Sequence, residues 1–453
     1  MYIPPEWLLW IEGLSFLLLT IGLPYKYKIS IHQLISQWAR KKLTRGGAGQ
    51  ELDPMAERIC IKGGEVFLSE KKTCEKKDIL VSDGRIVGIE DEILPGKDMR
   101  TVDAEGKLVT PGLIDFHMHA FRYGHFLSID TEELSPRSGT TTFVDGGSTG
   151  SLNFLAFREY VIKPSKSNIL AFLNISGIGQ STDGVQGLDF HENDDERLLH
   201  VPSALEVIEK NRTIIVGIKV RAYTGLKSTK SLEKARELAD AVNLPIMVHL
   251  SPPPLEFGQI LPYLKQGDII THPYHGGNKT ILDERGQVRS EYWEARKRGI
   301  EVDLGLDRFH GDLDIMKRAL EQGFQPDYIS SDLAMTNLHS ITFDLPTTVS
   351  KTVASGLSLT EALAKCTYAP AAKMGREKEI GCIRKGGLAD IGIFDVVTDD
   401  YTFEDFFGNK LKAKERIAPF MTIRKGEILE PLTRTTETLD ALNRGNPWNY
   451  GNR

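Results

Sequence analysis

Cysteine and surplus basic charge are both scarce in this sequence, and each shortage excludes a class of protein. Among 453 residues there are four cysteines, and no two of them form a Cys-x-x-Cys pair. A disulfide framework and a thiolate zinc site are therefore not indicated, and the cysteines are expected to be buried apolar residues of a cytoplasmic protein. The 62 acidic and 56 basic residues give a formal charge of −6. No basic footprint of a nucleic-acid partner is present.

The chain also has little that resembles a membrane span. One largely apolar run, from Trp7 to Leu23, contains Glu12 and is followed by a basic segment from Lys26 to Arg45. Its length is at the lower edge of the roughly 17–25 residues that cross a bilayer, and no positive residue precedes it as in a secretory signal.

Three interpretations of this run stay open: an amphipathic surface helix, a marginal membrane anchor, or sequence upstream of the true start. We favour the third, because Met55 would be a natural beginning of the folded part. Membrane contact through residues 7–23 is then possible but not favoured, and residues 1–53 are an extension of uncertain role.

Short strand-like runs with turn residues between them occupy both flanks of the remaining chain. They cover residues 54–108 and 380–430, and a tail of residues 431–453 follows. Two β-rich flanks around one central block predict a small β-sandwich built from both ends of the chain. The central block, residues 109–379, is then the main domain in space.

Within the central block, apolar runs alternate with helical stretches, which is typical of a parallel α/β sheet. This number of strands and the regular alternation favour a (β/α)8 TIM barrel over an open sheet. The predicted strands are 108–116, 141–145, 169–175, 214–220, 245–249, 268–272, 300–304 and 328–332.

The first predicted strand ends in two histidines, His117 and His119, separated by one residue. Side chains alternate along a strand, so both imidazoles face one side and can chelate a divalent cation. The alternative is that they merely cap the strand. Other strand ends carry further candidates, and barrel active sites gather at the carboxyl ends of strands. These further candidate ligands are Lys219, His249, His272 and Asp332.

Lys219 needs a separate argument, because an ammonium has no lone pair for a metal. It lies inside the apolar run 214–220, where burial would depress its pKa and make a neutral amine accessible. Addition of CO₂ would turn the amine into a carbamate that can bridge two ions. The alternative is a lysine that reaches solvent or pairs with a carboxylate. Beside the histidines we favour the carbamate.

These residues, in their order and strand placement, resemble those of the amidohydrolase superfamily. The resemblance covers roughly residues 57–430, and a closer similarity is to the amidohydrolase/deacetylase metallohydrolases, which are related to dihydroorotases. The motifs that carry it are Pro111-Gly-Leu-Ile-Asp-Phe-His-Met-His119, Arg137-Ser-Gly-Thr-Thr-Thr-Phe-Val-Asp145, Val216-Gly-Ile-Lys-Val-Arg-Ala222 and Phe343-Asp-Leu-Pro-Thr-Thr-Val-Ser-Lys351.

The resemblance implies a centre of two divalent metal ions, expected to be zinc, bridged by a hydroxide and by a Lys219 carbamate formed from CO₂. One ion would be bound by the carbamate, His117, His119 and Asp332, and the other by the carbamate, His249 and His272. Asp332 would perform the general acid–base step.

Two further side chains are candidates for contact with substrate. Arg221 shares the face of Lys219 and could hold a substrate carboxylate or assist catalysis, or it could be tied to a neighbouring carboxylate. His275 lies in the segment His272-Pro-Tyr-His-Gly-Gly277, where the subgroup tends to have a cysteine and an asparagine in the second and fourth places. Asn337 and His339 could also line the pocket, or be solvated loop residues.

The expected function is hydrolysis of an amide or ester bond in a small, carboxylate-bearing substrate, as in a deacetylase. The first alternative is a cyclic-amide hydrolase of the dihydroorotase or hydantoinase type. A mononuclear deaminase is disfavoured by Lys219, and a non-enzymatic assembly protein is disfavoured by the complete ligand set. A homo-oligomer is expected by family analogy only.

Overall fold

A computed structural model describes residues 58–183, 185, 188–222, 228–251, 255–338 and 341–430. The predicted extension 1–53 with its apolar run 7–23, the tail 431–453 and His339 lie outside these residues. Among the residues described, no helix has the length and apolar character needed to cross a membrane.

The secondary structure consists of short helices and mostly short strands. The strands are β1 (Arg58–Leu68), β2 (Thr73–Ser82), β3 (Arg85–Glu90), β4 (Met99–Asp103), β5 (Leu108–Pro111), β6 (Leu113–Met118), β7 (Thr140–Asp145), β8 (Asn168–Asn174), β9 (Ile215–Arg221), β10 (Ile246–His249), β11 (Ile269–Thr271), β12 (Glu301–Asp303), β13 (Ile391–Glu404), β14 (Lys410–Arg424) and β15 (Glu427–Leu429). The α-helices are α1 (Thr131–Leu134), α2 (Phe154–Phe157), α3 (Val201–Lys210), α4 (Lys230–Val242), α5 (Phe257–Ile260), α6 (Ser290–Lys297), α7 (Leu313–Glu321), α8 (Leu345–Ala354), α9 (Leu359–Ala364) and α10 (Tyr368–Lys373).

One mixed sheet is built from both flanks of the chain. Its strand order is β15-β14-β13-β5-β1-β2-β3, with β4 beside β1. The two flanks meet where β5 and β13 pair antiparallel, with Pro111 opposite Ile391. Strands from both ends of the chain therefore lie in one sheet, which is consistent with the predicted β-rich unit. The described strands of the two flanks form a single hydrogen-bonded sheet. The division of this sheet into two sandwich layers stays a prediction, as do the domain boundaries.

The predicted strand 108–116 is wrong as a single element, because it divides between the two sheets. Leu108–Pro111 pairs in the mixed sheet and Leu113–Met118 in the parallel sheet, with Gly112 between them. A Cβ at Gly112 would lie 2.2 Å from the Thr141 hydroxyl oxygen, so a side chain there would block the close approach of β6 to β7. Because the chain breaks at Gly112, β6 begins in the register that places His117 and His119.

The second sheet is parallel throughout and follows chain order from β6 to β12. Every residue of β6 and of β7 is buried, as is typical of the strands of a parallel sheet that is covered on both faces. Tyr328 makes a parallel bridge to Asp303 beside one edge of the sheet, and Leu333 makes one to Met118 at the other edge. The sheet is therefore curled, and segment 328–333 touches both of its edges.

Helices α3 and α4, which lie between these strands, and α7, which follows β12, are amphipathic. In α4 the buried positions include Leu232, Ala235, Leu238 and Val242, which recur every three or four residues and form one apolar face. The helix ends at Asn243, whose left-handed backbone (φ 53°) is a common helix stop. Such helices cover the outer face of the sheet and leave its strand ends for polar side chains.

Substitution of Phe116 tests the packing inside the curled parallel sheet. Its fully buried ring contacts Phe172 on β8, with ring centroids 5.5 Å apart, and Tyr328, at 4.7 Å. We expect Phe116→Ala to lower the free energy of unfolding by about 3–5 kcal/mol, because the cavity adds to the lost burial. Urea denaturation of the metal-free protein measures it. Tyr160→Ala, at a ring that is 82% exposed, is the control. Equal losses in the two variants would contradict this packing.

Candidate metal centre

The first strand of the parallel sheet and segment 328–333 bring three predicted ligands together. One oxygen of Asp332 lies 3.4 Å from Nε2 of His117 and 3.4 Å from Nε2 of His119. All three side chains are buried, and their ligand atoms lie within 4.8 Å of one another. The Asp332 amide donates to the His117 carbonyl (2.7 Å), so the backbone pairing itself sets the side chains opposite each other.

A second group forms at the ends of β10 and β11. The ring centroids of His249 and His272 are 4.5 Å apart, and the ring of His310 lies 4.7 Å from the first and 4.3 Å from the second. Their ligand atoms also fit within 4.8 Å. Asp332 connects the two groups, because its other oxygen lies 3.7 Å from His272 Nε2 and 2.9 Å from His310 Nδ1.

Lys219 on β9 lies beside the first group. Its Nζ donates to Nε2 of His117 at 2.7 Å, and its side chain is fully buried. Burial lowers the pKa of the lysine to about 8, and the nearby carboxylates of Asp332 and Asp303 only partly oppose this shift. At a pKa of about 8, roughly a tenth of the amine is neutral at pH 7, so it is available for reaction with CO₂.

The ionisation of the other groups also suits a metal. Burial lowers the pKa of His117, and it holds the pKa values of His249 and His272 well below their ordinary value, so these imidazoles are neutral at pH 7. Burial opposes ionisation of Asp332, but the neighbouring imidazoles outweigh it and keep the pKa of that carboxyl well below its usual range. Neutral imidazole and carboxylate are the forms that bind metal.

An unsatisfied atom supports the same conclusion. Nδ1 of His272 is hydrogen-bonded to the Gly305 carbonyl at 2.9 Å, while its Nε2 is buried and has no hydrogen-bond partner. A buried polar nitrogen without a partner costs stability, so such an atom needs an explanation. The residues present therefore fit divalent metal ions.

Hydrogen bonds behind the ligands fix their orientation. Nδ1 of His117 lies 3.1 Å from Asp303, whose carboxylate also accepts from Thr271 (2.7 Å) and Ser330 (2.6 Å). Nδ1 of His119 lies 2.8 Å from the Ser148 hydroxyl. Such outer contacts select the tautomer and leave the other ring nitrogen for a metal.

The backbone beside the ligands has no room for extra atoms. A Cβ at Gly146 would lie 2.2 Å from the His117 ring, and one at Gly305 would lie 2.4 Å from Nδ1 of His272. His272 and Asp332 themselves adopt left-handed backbone, with φ 67° and 49°. Non-glycine residues hold such conformations at a cost of about 1–3 kcal/mol, typically at functional sites.

The predicted substrate contacts are placed differently. The Arg221 guanidinium donates to Glu192 (2.7 Å) and to Asp183 (2.7 Å), and Glu192 is fully buried. This is the alternative of an arginine tied to neighbouring carboxylates, and its contact with substrate stays a prediction. His275 is buried with its Nε2 unpartnered, and its role also stays a prediction. Asn337 is fully buried and donates to the carbonyl of Asp332 (3.1 Å), so it supports the loop.

Among the residues of this site that sequence reasoning missed are Asp303 and His310. Asp303 ends β12 as the other candidates end their strands, so a signal existed, but a carboxylate after a strand is commonly a helix cap. His310 lies in the loop beyond β12, between Asp303 and the start of α7, where no periodic pattern fixes which side chains turn inward. The structure brings both to the ligands.

Comparison with known proteins agrees with this arrangement. The amidohydrolase family matches residues 108–429. A deacetylase of Brucella anthropi is 32% identical over 360 residues, which are 78% of this chain and 87% of that protein. A deacetylase of Agrobacterium fabrum is 31% identical over 78% of this chain and 86% of its own. A dihydroorotase crystal structure superposes with a TM-score of 0.75 at 28% identity, covering 82% of this chain and 98% of that one.

A curled parallel sheet with histidine and aspartate clusters at one end of its strands defines an α/β protein with groups that could hold metal ions. The chain belongs to the amidohydrolase family and is a hydrolase of that family. The resemblance inferred from the sequence is thereby confirmed.

Asp303 tests the orientation of the first ligand group. Replacing it by asparagine places an amide NH₂ where the carboxylate accepts hydrogen bonds, so His117 loses its fixed tautomer. We expect Asp303→Asn to weaken zinc binding about 10–100-fold, measured by competition with a chromophoric chelator. Asp314→Asn, at an exposed first-turn position of α7, is the matched control. An affinity equal to that of the control would show that Asp303 does not orient the ligand.

Proposed function

We propose that this chain is a binuclear metal-dependent hydrolase of amide or ester bonds, acting on a small, carboxylate-bearing substrate as a deacetylase does. The observation that carries the proposal is the convergence of His117, His119 and His272 around Asp332, with Nζ of Lys219 2.7 Å from His117 Nε2. The relatives named deacetylases support the reaction class.

Two divalent ions, proposed to be zinc, would be held at this edge of the sheet. His117, His119 and Asp332 would bind one ion, and His249 and His272 the other, with a carbamate on Lys219 as the shared ligand. When bound, such ions polarise a carbonyl group and lower the pKa of water from about 15.7 to about 7.

Asp332 is the proposed general acid–base group. Its carboxylate lies between the two ligand groups and is ionised, so it can accept the proton of an attacking water molecule. The same oxygen can return that proton to the departing nitrogen or oxygen. Nδ1 of His310, at 2.9 Å, limits the orientations that the carboxylate can take.

Arg221 and His275 are the proposed groups for substrate recognition. Arg221 follows Lys219 on the same face of β9, and Glu192 and Asp183 fix its guanidinium in one orientation. A substrate carboxylate would add to an arginine that is already positioned, which lowers the entropic cost of binding. His275 offers an unpartnered Nε2 as a second polar contact.

A second candidate is hydrolysis of a cyclic amide, which the similarity to a dihydroorotase structure supports. The same metals and the same acid–base group would serve both reactions, so the loops around the site decide between them. We also infer that segment 328–333 is the eighth strand of a closed barrel, because it bridges both edges of the parallel sheet. A cytoplasmic location and a homo-oligomeric state stay predictions.

Metal content of the wild type and of Lys219→Ala tests the proposal. Protein expressed with zinc and bicarbonate is expected to hold about two ions per chain, and the variant at least one fewer, because the shared ligand is lost. The loaded wild type is then assayed on N-acyl and O-acyl acids and on cyclic amides. Lys234→Ala, at a surface lysine of α4, is the control. Equal metal content in the wild type and Lys219→Ala would contradict the shared carbamate.

A further inference from the structure

The loop after β12 adds an imidazole that the family ligand set does not include. His310 has a side chain that is 17% exposed, and its ring lies between those of His249 and His272 and the Asp332 carboxylate. One ligand atom from each of the three histidines fits within 4.8 Å. Three imidazoles so close together are a set that a single zinc ion accepts, with a fourth position left open.

The hydrogen bonds around these rings match those of metal ligands. His249 uses Nε2 toward the Ser251 carbonyl (2.9 Å), and His272 uses Nδ1 toward the Gly305 carbonyl (2.9 Å). His310 uses Nδ1 toward Asp332. A ring nitrogen that donates to an oxygen leaves the other nitrogen with its lone pair, which is how protein imidazoles are prepared for a metal.

The loop that carries His310 is held on both sides. Asp405, in the turn between β13 and β14, accepts from the Leu313 amide (2.8 Å), and the ring of Phe406 lies 4.3 Å from that of Phe309. On the other side Asn337 donates to Asp307. The imidazole is therefore held in place by neighbouring segments before any ion binds, which reduces the entropy lost on binding.

We propose that His310 is a third imidazole ligand of the ion bound by His249 and His272. The inference rests on the proposed metal-dependent function and adds a ligand from the loop after β12. Three imidazoles hold an ion without the lysine, so this position binds metal whether or not Lys219 carries a carbamate.

Metal binding by His310→Ala tests the proposal without an activity assay. The second zinc ion is expected to bind more than about 100-fold more weakly than in wild type, beyond the roughly 10–100-fold loss that an outer-contact residue gives. Competition with a chromophoric chelator measures both ions. His200→Asn is the control, because it removes an exposed imidazole and leaves a side chain able to cap α3. Wild-type affinity for both ions in His310→Ala would overturn the proposal.

A cysteine at position 310 gives a spectroscopic test that does not depend on the size of that loss. Cobalt bound by a thiolate shows a sulfur-to-metal charge-transfer band, so cobalt-loaded His310→Cys is expected to gain this band. The chain already has three buried cysteines, Cys60, Cys366 and Cys382, and one exposed cysteine, Cys74. The spectra of cobalt-loaded wild type and His200→Cys therefore give the baseline for this band. No band in loaded His310→Cys would overturn direct coordination, even if affinity falls. If the wild type binds no metal, the proposed metal-dependent function is contradicted as well. A loss of metal binding that is confined to the variants would not contradict that function.

Discussion

Contact between the Asp332 carboxylate and the surrounding imidazoles is the interaction on which the site depends. The carboxylate reaches both ligand groups, and it does so from a segment that bridges the two edges of the parallel sheet. Sheet curvature and the site therefore depend on the same contact, because the hydrogen bond from the Asp332 amide to the His117 carbonyl joins segment 328–333 to β6 and sets the two side chains opposite each other. A charge this deeply buried is tolerated only with partners, and the partners here are the prospective metal ligands.

Several features of this arrangement lower the stability of the folded protein. His272 and Asp332 hold left-handed backbone, and His272 keeps a buried nitrogen without a partner. Packing offsets these terms, since β11, which precedes His272, is fully buried and glycines allow close approach at Gly146 and Gly305. Ion binding would offset the same loss of stability, because the free energy of binding adds to the stability of the folded state.

Much of this site could be predicted because strand ends are visible in a sequence. An apolar run followed by a polar residue places that residue at the sheet edge, which located His117, His249 and Asp332. His310 could not be placed this way, because a loop has no hydrophobic periodicity that shows which side chains turn inward. The partners of Arg221 were hidden for the same reason: Glu192 and Asp183 come from an irregular segment between β8 and α3. The curled sheet was predictable from alternation, but the division at Gly112 depends on contact with Thr141, which lies in the next strand.

The pairing of β5 with β13 has a consequence for how the chain reaches its native state. Strand β6, with the first ligand, begins one residue after β5, and β5 is flanked by β1 on one side and by β13 on the other. Some 280 residues of chain separate β5 from β13, so this contact closes a very long loop and is slow to form. During synthesis, β5 cannot pair with β13 until the residues near 391 have left the ribosome. A shortened chain that ends before β13 would leave this edge of β5 unpaired, and an unpaired strand edge is a template for aggregation.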